Sequence, residues 1–289
     1  MTDEKRTENL NEKWIERDLA FAIFAAREAG ARVEALRRSG RWVDEGIRGD
    51  VGDQAADGYL RGLLEGRYPD DGVLSEETAD SPARLSKSRV WIVDPLDGTK
   101  EYGQMREDWA VHVALCIDGA PALAAVALPA SGAVLWGVCL AGKERAGVDG
   151  ALQTVPSKTN GLVRGSAAKP DAPRMVVSRS HTPEWTSRFA AMLGVAEQKP
   201  VGSVGYKVSR LLVGEAEVYV HKKGLKEWDT CAPEIVARAL GWSVSKLAGA
   251  DLVYNQADPR VDEFLVCRPA QRERVLAALR SSGAVAATP

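Results

Sequence analysis

The chain has 289 residues, of which 45% are hydrophobic and 27% charged, as in an ordinary soluble globular protein with a large core. Its net charge of -2, without a long run of lysine and arginine, argues against nucleic-acid polymers and anionic membranes as partners. The first 14 residues are polar and no segment approaches the roughly 18 apolar residues of a membrane span, so we expect a cytoplasmic protein.

The spacing of the cysteines argues against a zinc site. The four cysteines are far apart in the chain and show neither zinc-ligand spacing nor a CxxC pair. We therefore expect free and mostly buried thiols at Cys116, Cys139, Cys231 and Cys267.

The first half of the chain predicts two helices followed by a β-meander. Apolar residues recur at helical spacing over residues 14–36, which predicts a long amphipathic helix. A second helix is expected over residues 53–66, with Asp53 as its N-cap. Beyond residue 102, short β-rich runs separated by Gly and Pro turns predict an antiparallel meander, with strands at 111–117, 123–128 and 133–140.

The second half predicts alternating strands and helices. Residues 141–173 are rich in Gly, Ala, Lys and Ser, which predicts a loop-rich connector that could contain one short strand pair. This connector sets the predicted boundary between residues 1–141 and 142–289. The expected strands lie at 175–177, 218–221 and 264–267, and the expected helices at 184–193, 206–213, 231–240 and 270–279. Such alternation predicts a sheet covered by helices.

Residues 91–102, WIVDPLDGTKEY, contain the strongest functional signal. Asp94 and Asp97 follow a short apolar run that predicts a buried strand. The intervening proline interrupts regular pairing and Gly98 relaxes the backbone, so both carboxylates and the carbonyl between them can face one point. Such oxygens suit Mg²⁺, which takes about six ligands at roughly 2.1 Å. Because Asp-Gly is also a common turn signal, an ordinary turn remains the alternative.

Two further acidic segments favour the metal site. Glu76 and Glu77 end another short apolar run, and Asp229 precedes the predicted helix at 231–240. If these carboxylates meet, they repel one another and raise their own pKa values unless cations neutralise them. Three acidic strand ends or helix starts therefore point to a bound metal.

These motifs resemble those of a known family. SEE at 75–77, WIVDPLDGTKEY, and WDTCAPE at 228–234 are similar to the lithium-sensitive, magnesium-dependent phosphomonoesterases of the inositol monophosphatase family. GSVGYK at 202–207 and SRSH at 178–181 most resemble its CysQ-type 3'(2'),5'-bisphosphate nucleotidase branch. The segments at 108–115, 125–132 and 252–259 resemble its actinobacterial members, and the whole resemblance spans roughly residues 12–280.

The resemblance implies an α/β fold, a layered αβαβα sandwich with the active site at the junction of its halves. It implies two or three Mg²⁺ ions, with ligands from Glu76, Asp94, the Leu96 carbonyl, Asp97 and Asp229. Glu76 and Thr99 are expected to orient the attacking water. Asp53 matches a position where the family often has a Thr-Asp pair, but Gly52 replaces the threonine, so Asp53 is either a catalytic carboxylate or a plain helix N-cap. Asp229 or Thr230 is likewise a candidate cap of a helix with Pro233 in its first turn.

Substrate selectivity is expected outside the carboxylates. The candidate substrate-binding residues are Gly98, Thr99, Ser178, Arg179, Ser180, His181, Gly202, Ser203, Lys207 and Asp229. Lys207 could meet a second phosphate, with a solvated loop lysine as the alternative. His112 and His221 lie in strand patterns and are interpreted as packing or surface residues.

The expected reaction is removal of the 3'-phosphate from adenosine 3',5'-bisphosphate, giving AMP and phosphate, with the sulfated nucleotide as a second candidate substrate. This activity would clear a by-product of sulfate assimilation. The nearest alternative is a phosphatase for inositol monophosphate or fructose 1,6-bisphosphate. A non-catalytic metabolite or metal sensor is disfavoured because all four carboxylate ligands and Thr99 are present. A homodimer is one candidate assembly.

Overall fold

A computed structural model describes residues 3–140, 142–150, 161–166, 172–180 and 182–285. These residues form seven α-helices, two short 3-10 helices and eleven strands in two sheets. The helices are α1 Asp3–Arg38, α2 Glu45–Arg67, α3 Thr99–Gly103, α4 Glu184–Leu193, α5 Val204–Leu212, α6 Glu227–Ala239 and α7 Arg272–Ser281, with 3-10 helices at Pro82–Ser86 and Pro269–Gln271. The strands are β1 Gly72–Ser75, β2 Arg89–Asp97, β3 Ala110–Ile117, β4 Ala120–Leu128, β5 Ala133–Val138, β6 Arg145–Asp149, β7 Arg174–Ser178, β8 Glu197–Val201, β9 Val218–Lys226, β10 Ser243–Ser245 and β11 Arg260–Cys267.

The first sheet runs in chain order from β1 to β6. β1 pairs with β2 in parallel, and every later pair is antiparallel, which confirms the predicted meander. The pairing of β2 with β3 shifts between Asp94 and Asp97, because Pro95 has no N–H to donate to the ladder. This irregularity lies where the two carboxylates must turn toward one point.

The second sheet has the order β10-β11-β9-β7-β8. β7 runs parallel to β8 and β9, whereas β11 is antiparallel to its neighbours. The predicted alternation of strands and helices is confirmed, but β8 and β10 were not predicted. β8 is mostly exposed and contains Pro200, as an edge strand can, and β10 has only three residues.

Helices cover both outer faces of the sheets and fill the space between them. α1 and α2 pack on one face of the first sheet, with Ala22, Ala26 and Ala29 fully buried. α6 lies between the two sheets and contributes Ile235 and Val236 to the shared core. α4 and α7 cover the outer face of the second sheet. The five layers confirm the expected αβαβα sandwich.

α2 begins earlier than the sequence predicted. Its N-cap is Asp44, whose side chain accepts from the Ile47 N–H at 2.9 Å, so the interpretation of Asp53 as an N-cap is wrong. Glycines at the start of this helix lower its apparent propensity. Gly52 is needed there for close packing, because a Cβ would lie 2.6 Å from the Tyr102 ring.

α6 also begins earlier, at Glu227 rather than residue 231. Asp229 is therefore the third residue of the helix, and Pro233 lies in the second turn rather than the first. Neither Asp229 nor Thr230 is the N-cap. The Asp229 carboxylate nevertheless accepts from the Lys226 N–H at 2.6 Å, which is the bond expected of an acidic residue at this position.

Other features bear on the predicted organisation. The four cysteines are free, and all but Cys139 are buried, as expected. β6 lies beyond the predicted boundary at residue 141 and still continues the first sheet, so the division into two halves remains a prediction. Among the described residues, no helix combines the length and apolar character needed to cross a membrane.

Candidate metal centre

Asp94, Asp97 and His112 form a tight cluster where β2 ends beside β3. Each offers one ligand atom, and these atoms lie within 4.8 Å of one another. β2 is an interior strand of its sheet and is buried from Val90 onward, and its register places Asp94 directly opposite His112. The three side chains are buried, so their charges interact strongly.

Asp97 is held by donors from the start of α5. Its Oδ2 accepts from the Ser203 hydroxyl at 2.5 Å and from the Gly205 N–H at 2.7 Å. His112 Nε2 lies 3.2 Å from the same oxygen, although its alignment is too poor for a hydrogen bond. Burial alone would raise the pKa of Asp97, but His112 and these donors lower it below its usual range. Asp97 is therefore held as an anion.

Asp94 has one satisfied and one unsatisfied oxygen. Oδ1 accepts from the Leu96 N–H at 3.1 Å, whereas Oδ2 is buried without a hydrogen-bond partner among the described residues. Burial, followed by the charges of Glu76 and Asp97, raises the pKa of Asp94 well above its usual value. His112 Nδ1 lies 4.0 Å from Oδ2, which is beyond hydrogen-bond distance. A buried carboxylate oxygen without a hydrogen bond is costly, and a divalent cation would satisfy it. The residues present thus fit a bound metal.

Glu76 and Asp229 flank this cluster. Within the described residues, their oxygens lie outside the 4.8 Å group, so the structure does not bring all four carboxylates equally close. Burial and the charge of Asp97 raise the pKa of Asp229 to about 7. Burial, followed by the charges of Asp97 and Glu77, raises the pKa of Glu76 to about 7 as well. The Glu76 side chain is exposed, which limits the effect of burial and leaves the repulsion by Asp97 and Glu77.

Thr99 and Asp53 form a hydrogen-bonded pair beside the cluster. Thr99 begins α3, after Gly98 with a φ of 97° that favours glycine. Its hydroxyl donates to Asp53 Oδ2 at 2.8 Å and lies 3.2 Å from the Leu96 carbonyl oxygen. Asp53 Oδ1 has no partner among the described residues, and burial raises the pKa of Asp53 to about 8 despite the Thr99 bond. A hydroxyl that donates to a carboxylate keeps its lone pairs free to accept from water.

Lys207 is buried, and its interpretation as a solvated loop lysine is wrong. Only 3% of the residue is exposed, and its ammonium donates to the Ser203 carbonyl at 3.1 Å. The ammonium also lies 5.6 Å from the centre of the Tyr219 ring. Burial lowers the pKa of Lys207, while Asp97 and neighbouring carboxylates oppose that shift. Lys207 is thus part of the acidic site, and its contact with substrate remains a prediction.

Arg179 pairs with two carboxylates. It donates to Glu101 at 3.0 Å and to Asp108 at 2.5 Å, and Asp108 also accepts from the Gly202 N–H at 2.7 Å. Ser178 ends β7 and its carbonyl accepts from Thr182, while Ser180 follows in a bend. His181 lies outside the described residues. A substrate role for the segment 178–181 remains a prediction.

Sequence reasoning missed His112. It was interpreted as a packing or surface residue. It is fully buried, as a packing residue would be, but it also belongs to the cluster of possible metal ligands, and its Nδ1 lies 3.1 Å from the Trp228 carbonyl oxygen. The signal was a histidine inside an apolar strand, and only the register with β2 reveals its neighbour Asp94. His221 contacts Tyr219 and the Lys223 carbonyl, in agreement with a packing role.

Comparisons with known proteins show which family the chain resembles over most of its length. A model of the inositol monophosphatase family matches residues 14–284. The chain is 36% identical over 261 residues to the 3'-phosphoadenosine 5'-phosphate phosphatase of Mycobacterium leprae (strain TN), a match that covers 87% of this chain and 89% of that protein. It is 35% identical over 199 residues to the 3'(2'),5'-bisphosphate nucleotidase CysQ of Salmonella typhimurium, covering 66% of this chain and 74% of that protein.

A solved structure of a CysQ protein is also similar to this chain. The crystal structure of CysQ from Bacteroides thetaiotaomicron matches with a TM-score of 0.74 at 27% identity and covers 87% of this chain and 97% of that chain. The similarity to the CysQ-type branch, predicted from GSVGYK and SRSH, is therefore confirmed. With the five-layer fold, the acidic cluster and a family match over most of its length, this chain belongs to the inositol monophosphatase family.

Proposed function

We propose that this chain is a Mg²⁺-dependent phosphomonoesterase that removes the 3'-phosphate from adenosine 3',5'-bisphosphate, giving AMP and phosphate. The observation that carries the catalytic part is the buried oxygen of Asp94 that accepts no hydrogen bond from the described residues, beside the Thr99–Asp53 pair. The substrate follows from the relatives named above, which are a phosphoadenosine phosphate phosphatase and a bisphosphate nucleotidase.

In this proposal, Glu76, Asp94, the Leu96 carbonyl, Asp97 and Asp229 hold two or three Mg²⁺ ions. When bound, the metal supplies Lewis-acid stabilisation of phosphate oxygens and activation of water. The protein contributes position and charge. Ser203 and Gly205 keep Asp97 ionised and fixed.

Thr99 orients the attacking water. Because Asp53 Oδ2 accepts the Thr99 hydroxyl proton, the Thr99 oxygen presents its lone pairs to a water O–H. The Leu96 carbonyl, 3.2 Å from the same hydroxyl, places a metal-binding oxygen next to this water site. Asp53 therefore acts through Thr99 as a catalytic support rather than as a helix cap.

The non-reacting phosphate is proposed to bind the basic and hydroxyl-bearing groups beside the metal centre. Lys207 provides a cation near Asp97, and Ser178, Arg179 and Ser180 are proposed as further donors. His181 lies outside the described residues and is proposed from the sequence alone. Gly98, Gly202 and Ser203 complete the predicted substrate site with backbone and hydroxyl groups. An enzyme with these contacts would favour a nucleotide that carries a second anionic group, either adenosine 3',5'-bisphosphate or its sulfated form. In this proposal the enzyme acts in sulfate assimilation in the cytoplasm.

Phosphate release tests the substrate directly. Adenosine 3',5'-bisphosphate, inositol 1-phosphate and fructose 1,6-bisphosphate are compared at equal concentration with Mg²⁺, and Asp94→Asn serves as the inactive control. We expect the highest kcat/KM for the adenosine bisphosphate. A higher kcat/KM for either of the other substrates would refute the nucleotide assignment, and phosphate release by none of them would favour the sensor alternative.

A further inference from the structure

Asp57 lies on α2 and contacts the segment that carries Glu76. The Ser75 hydroxyl donates to Asp57 Oδ1 at 2.6 Å, and the Thr78 hydroxyl donates to Oδ2 at 2.8 Å. Ser75 and Thr78 flank Glu76 and Glu77 in the chain. The buried Asp57 carboxylate thus accepts hydrogen bonds from both ends of the short segment that contains Glu76, the predicted metal ligand.

The same face of α2 also binds Thr99, through Asp53. Asp53 lies four residues before Asp57, so the two carboxylates occupy one face of the helix about 6 Å apart along its axis. Asp53 accepts from Thr99, and Asp57 accepts from Ser75 and Thr78. A single rigid helix therefore sets the distance between the Glu76 segment and Thr99.

The Glu76 segment needs such an anchor. β1 ends at Ser75, and the next three residues form bends rather than a ladder. The Glu76 side chain is open to solvent and faces the like charges of Asp97 and Glu77. Repulsion would drive this segment away from the metal centre, and the two bonds to Asp57 oppose that movement.

We propose that Asp57 is a positioning residue that fixes Glu76 relative to Thr99 and thereby sets the metal affinity of the site. The inference rests on the proposed function, since it takes Glu76 as a metal ligand. Groups that orient metal ligands typically change metal affinity by about 10- to 100-fold when they are removed. We expect a loss of that size when both bonds to Asp57 are removed.

The test measures Mn²⁺ binding by the electron paramagnetic resonance signal of free Mn²⁺, without any substrate. Asp57→Ala should weaken binding about 10- to 100-fold, and Asp57→Asn should weaken it less because one acceptor oxygen remains. The double variant Asp57→Ala, Ser75→Ala should bind no more weakly than Asp57→Ala, since both changes remove the same bond. Glu65→Ala is the matched control: it removes one negative charge from the same helix, where Glu65 is exposed and its one ion pair within the described part of the chain is with Arg61.

The activity readout separates positioning from general damage. With the Asp57 variants, the Mg²⁺ concentration for half-maximal turnover should rise, while kcat at saturating Mg²⁺ falls much less. If Asp57→Ala does not fold, the double variant Ser75→Ala, Thr78→Val removes the same bonds and should show the same loss of Mn²⁺ affinity. Wild-type affinity in that double variant, or an equal loss in Glu65→Ala, would overturn the inference.

The outcomes also distinguish this inference from the proposed function. If the wild type binds Mn²⁺ but does not release phosphate from adenosine bisphosphate, the substrate assignment fails and the Mn²⁺ titrations still decide the role of Asp57. If Mn²⁺ binds the wild type and Asp57→Ala equally tightly, Asp57 is not a positioning residue, whichever substrate is hydrolysed.

Discussion

Two hydrogen bonds and an unusual backbone conformation at Ser203 determine how its replacement should change the stability of the protein. Its hydroxyl donates to Asp97 at 2.5 Å and accepts from the Tyr206 N–H at 2.9 Å as the N-cap of α5. Its backbone has a φ of 43°, which side-chain-bearing residues rarely adopt. Replacement by alanine removes both bonds and keeps the strain, whereas replacement by glycine removes both bonds and relieves the strain.

The expected losses can be added roughly. A hydrogen bond to a charged group contributes about 1.5–3 kcal/mol, and an N-cap bond contributes about 1 kcal/mol. Because one hydroxyl makes both bonds, we expect Ser203→Ala to lower the free energy of unfolding by about 2–4 kcal/mol. Glycine relieves about 1–3 kcal/mol of strain but adds about 0.5–1 kcal/mol of chain entropy. Ser203→Gly should therefore be more stable than Ser203→Ala by about 1 kcal/mol.

Urea denaturation followed by tryptophan fluorescence measures these differences in metal-free protein. Ser86→Ala is the control, since Ser86 is exposed and its hydroxyl donates to the nearby Ala83 carbonyl at 2.9 Å. This change should alter stability by less than about 0.5 kcal/mol. If Ser203→Ala matches the wild type, the bond to Asp97 contributes no stability. If Ser203→Gly is less stable than Ser203→Ala, the positive φ at residue 203 does not destabilise the protein, and this part of the reasoning is wrong.

Three further predictions concern catalysis. Asp94→Asn should fold and lose activity by orders of magnitude, because metal-ion stabilisation supplies several kcal/mol; near-normal turnover at saturating Mg²⁺ would contradict the metal site. Lys207→Met, which keeps the buried stem, should lower kcat/KM for adenosine 3',5'-bisphosphate by about 10- to 150-fold and spare adenosine 3'-monophosphate, since a charge-assisted contact contributes about 1.5–3 kcal/mol. Equal losses on both substrates would assign Lys207 to the reacting phosphate or the fold. Phosphate release should be inhibited by Li⁺ and unsupported by Ca²⁺, which prefers longer bonds and more ligands; full activity with Ca²⁺ alone would be inconsistent with the proposed site.

Local sequence signals predicted those parts of the fold that local chemistry determines. α4 has the predicted bounds, Glu184–Leu193, because Gly194 adopts the left-handed conformation that ends a helix. The meander followed from its Gly and Pro turns. The start of α2 was missed because Asp44 and Asp53 are both plausible caps, and the glycines between them hide the helical pattern.

The same distinction applies to the site. Asp94, Leu96, Asp97 and Thr99 lie within six residues, so their proximity could be predicted from the chain alone. His112 and Asp57 could not be found in this way. His112 lies beside Asp94 because of the register between two strands, and Asp57 contacts the Glu76 segment through Ser75, 18 residues later in the chain. Long-range pairings of this kind leave no mark in a linear motif.

The anchors of the carboxylates imply that metal binding stabilises the fold. Asp97 is fixed by α5, Asp229 by the Lys226 N–H and the Glu76 segment by Asp57, so the like charges cannot separate freely without metal. Mg²⁺ would relieve this repulsion, and a ligand at 100 times its Kd stabilises the folded state by about 2.7 kcal/mol. Urea titrations with Mg²⁺ and with a chelator should show this gain in the wild type. In Asp94→Asn, Mg²⁺ should add little stability. In chelator this variant should be more stable than the wild type, because it removes one buried charge. If the variant is instead less stable than the wild type in chelator, repulsion at Asp94 is not the source of the metal affinity.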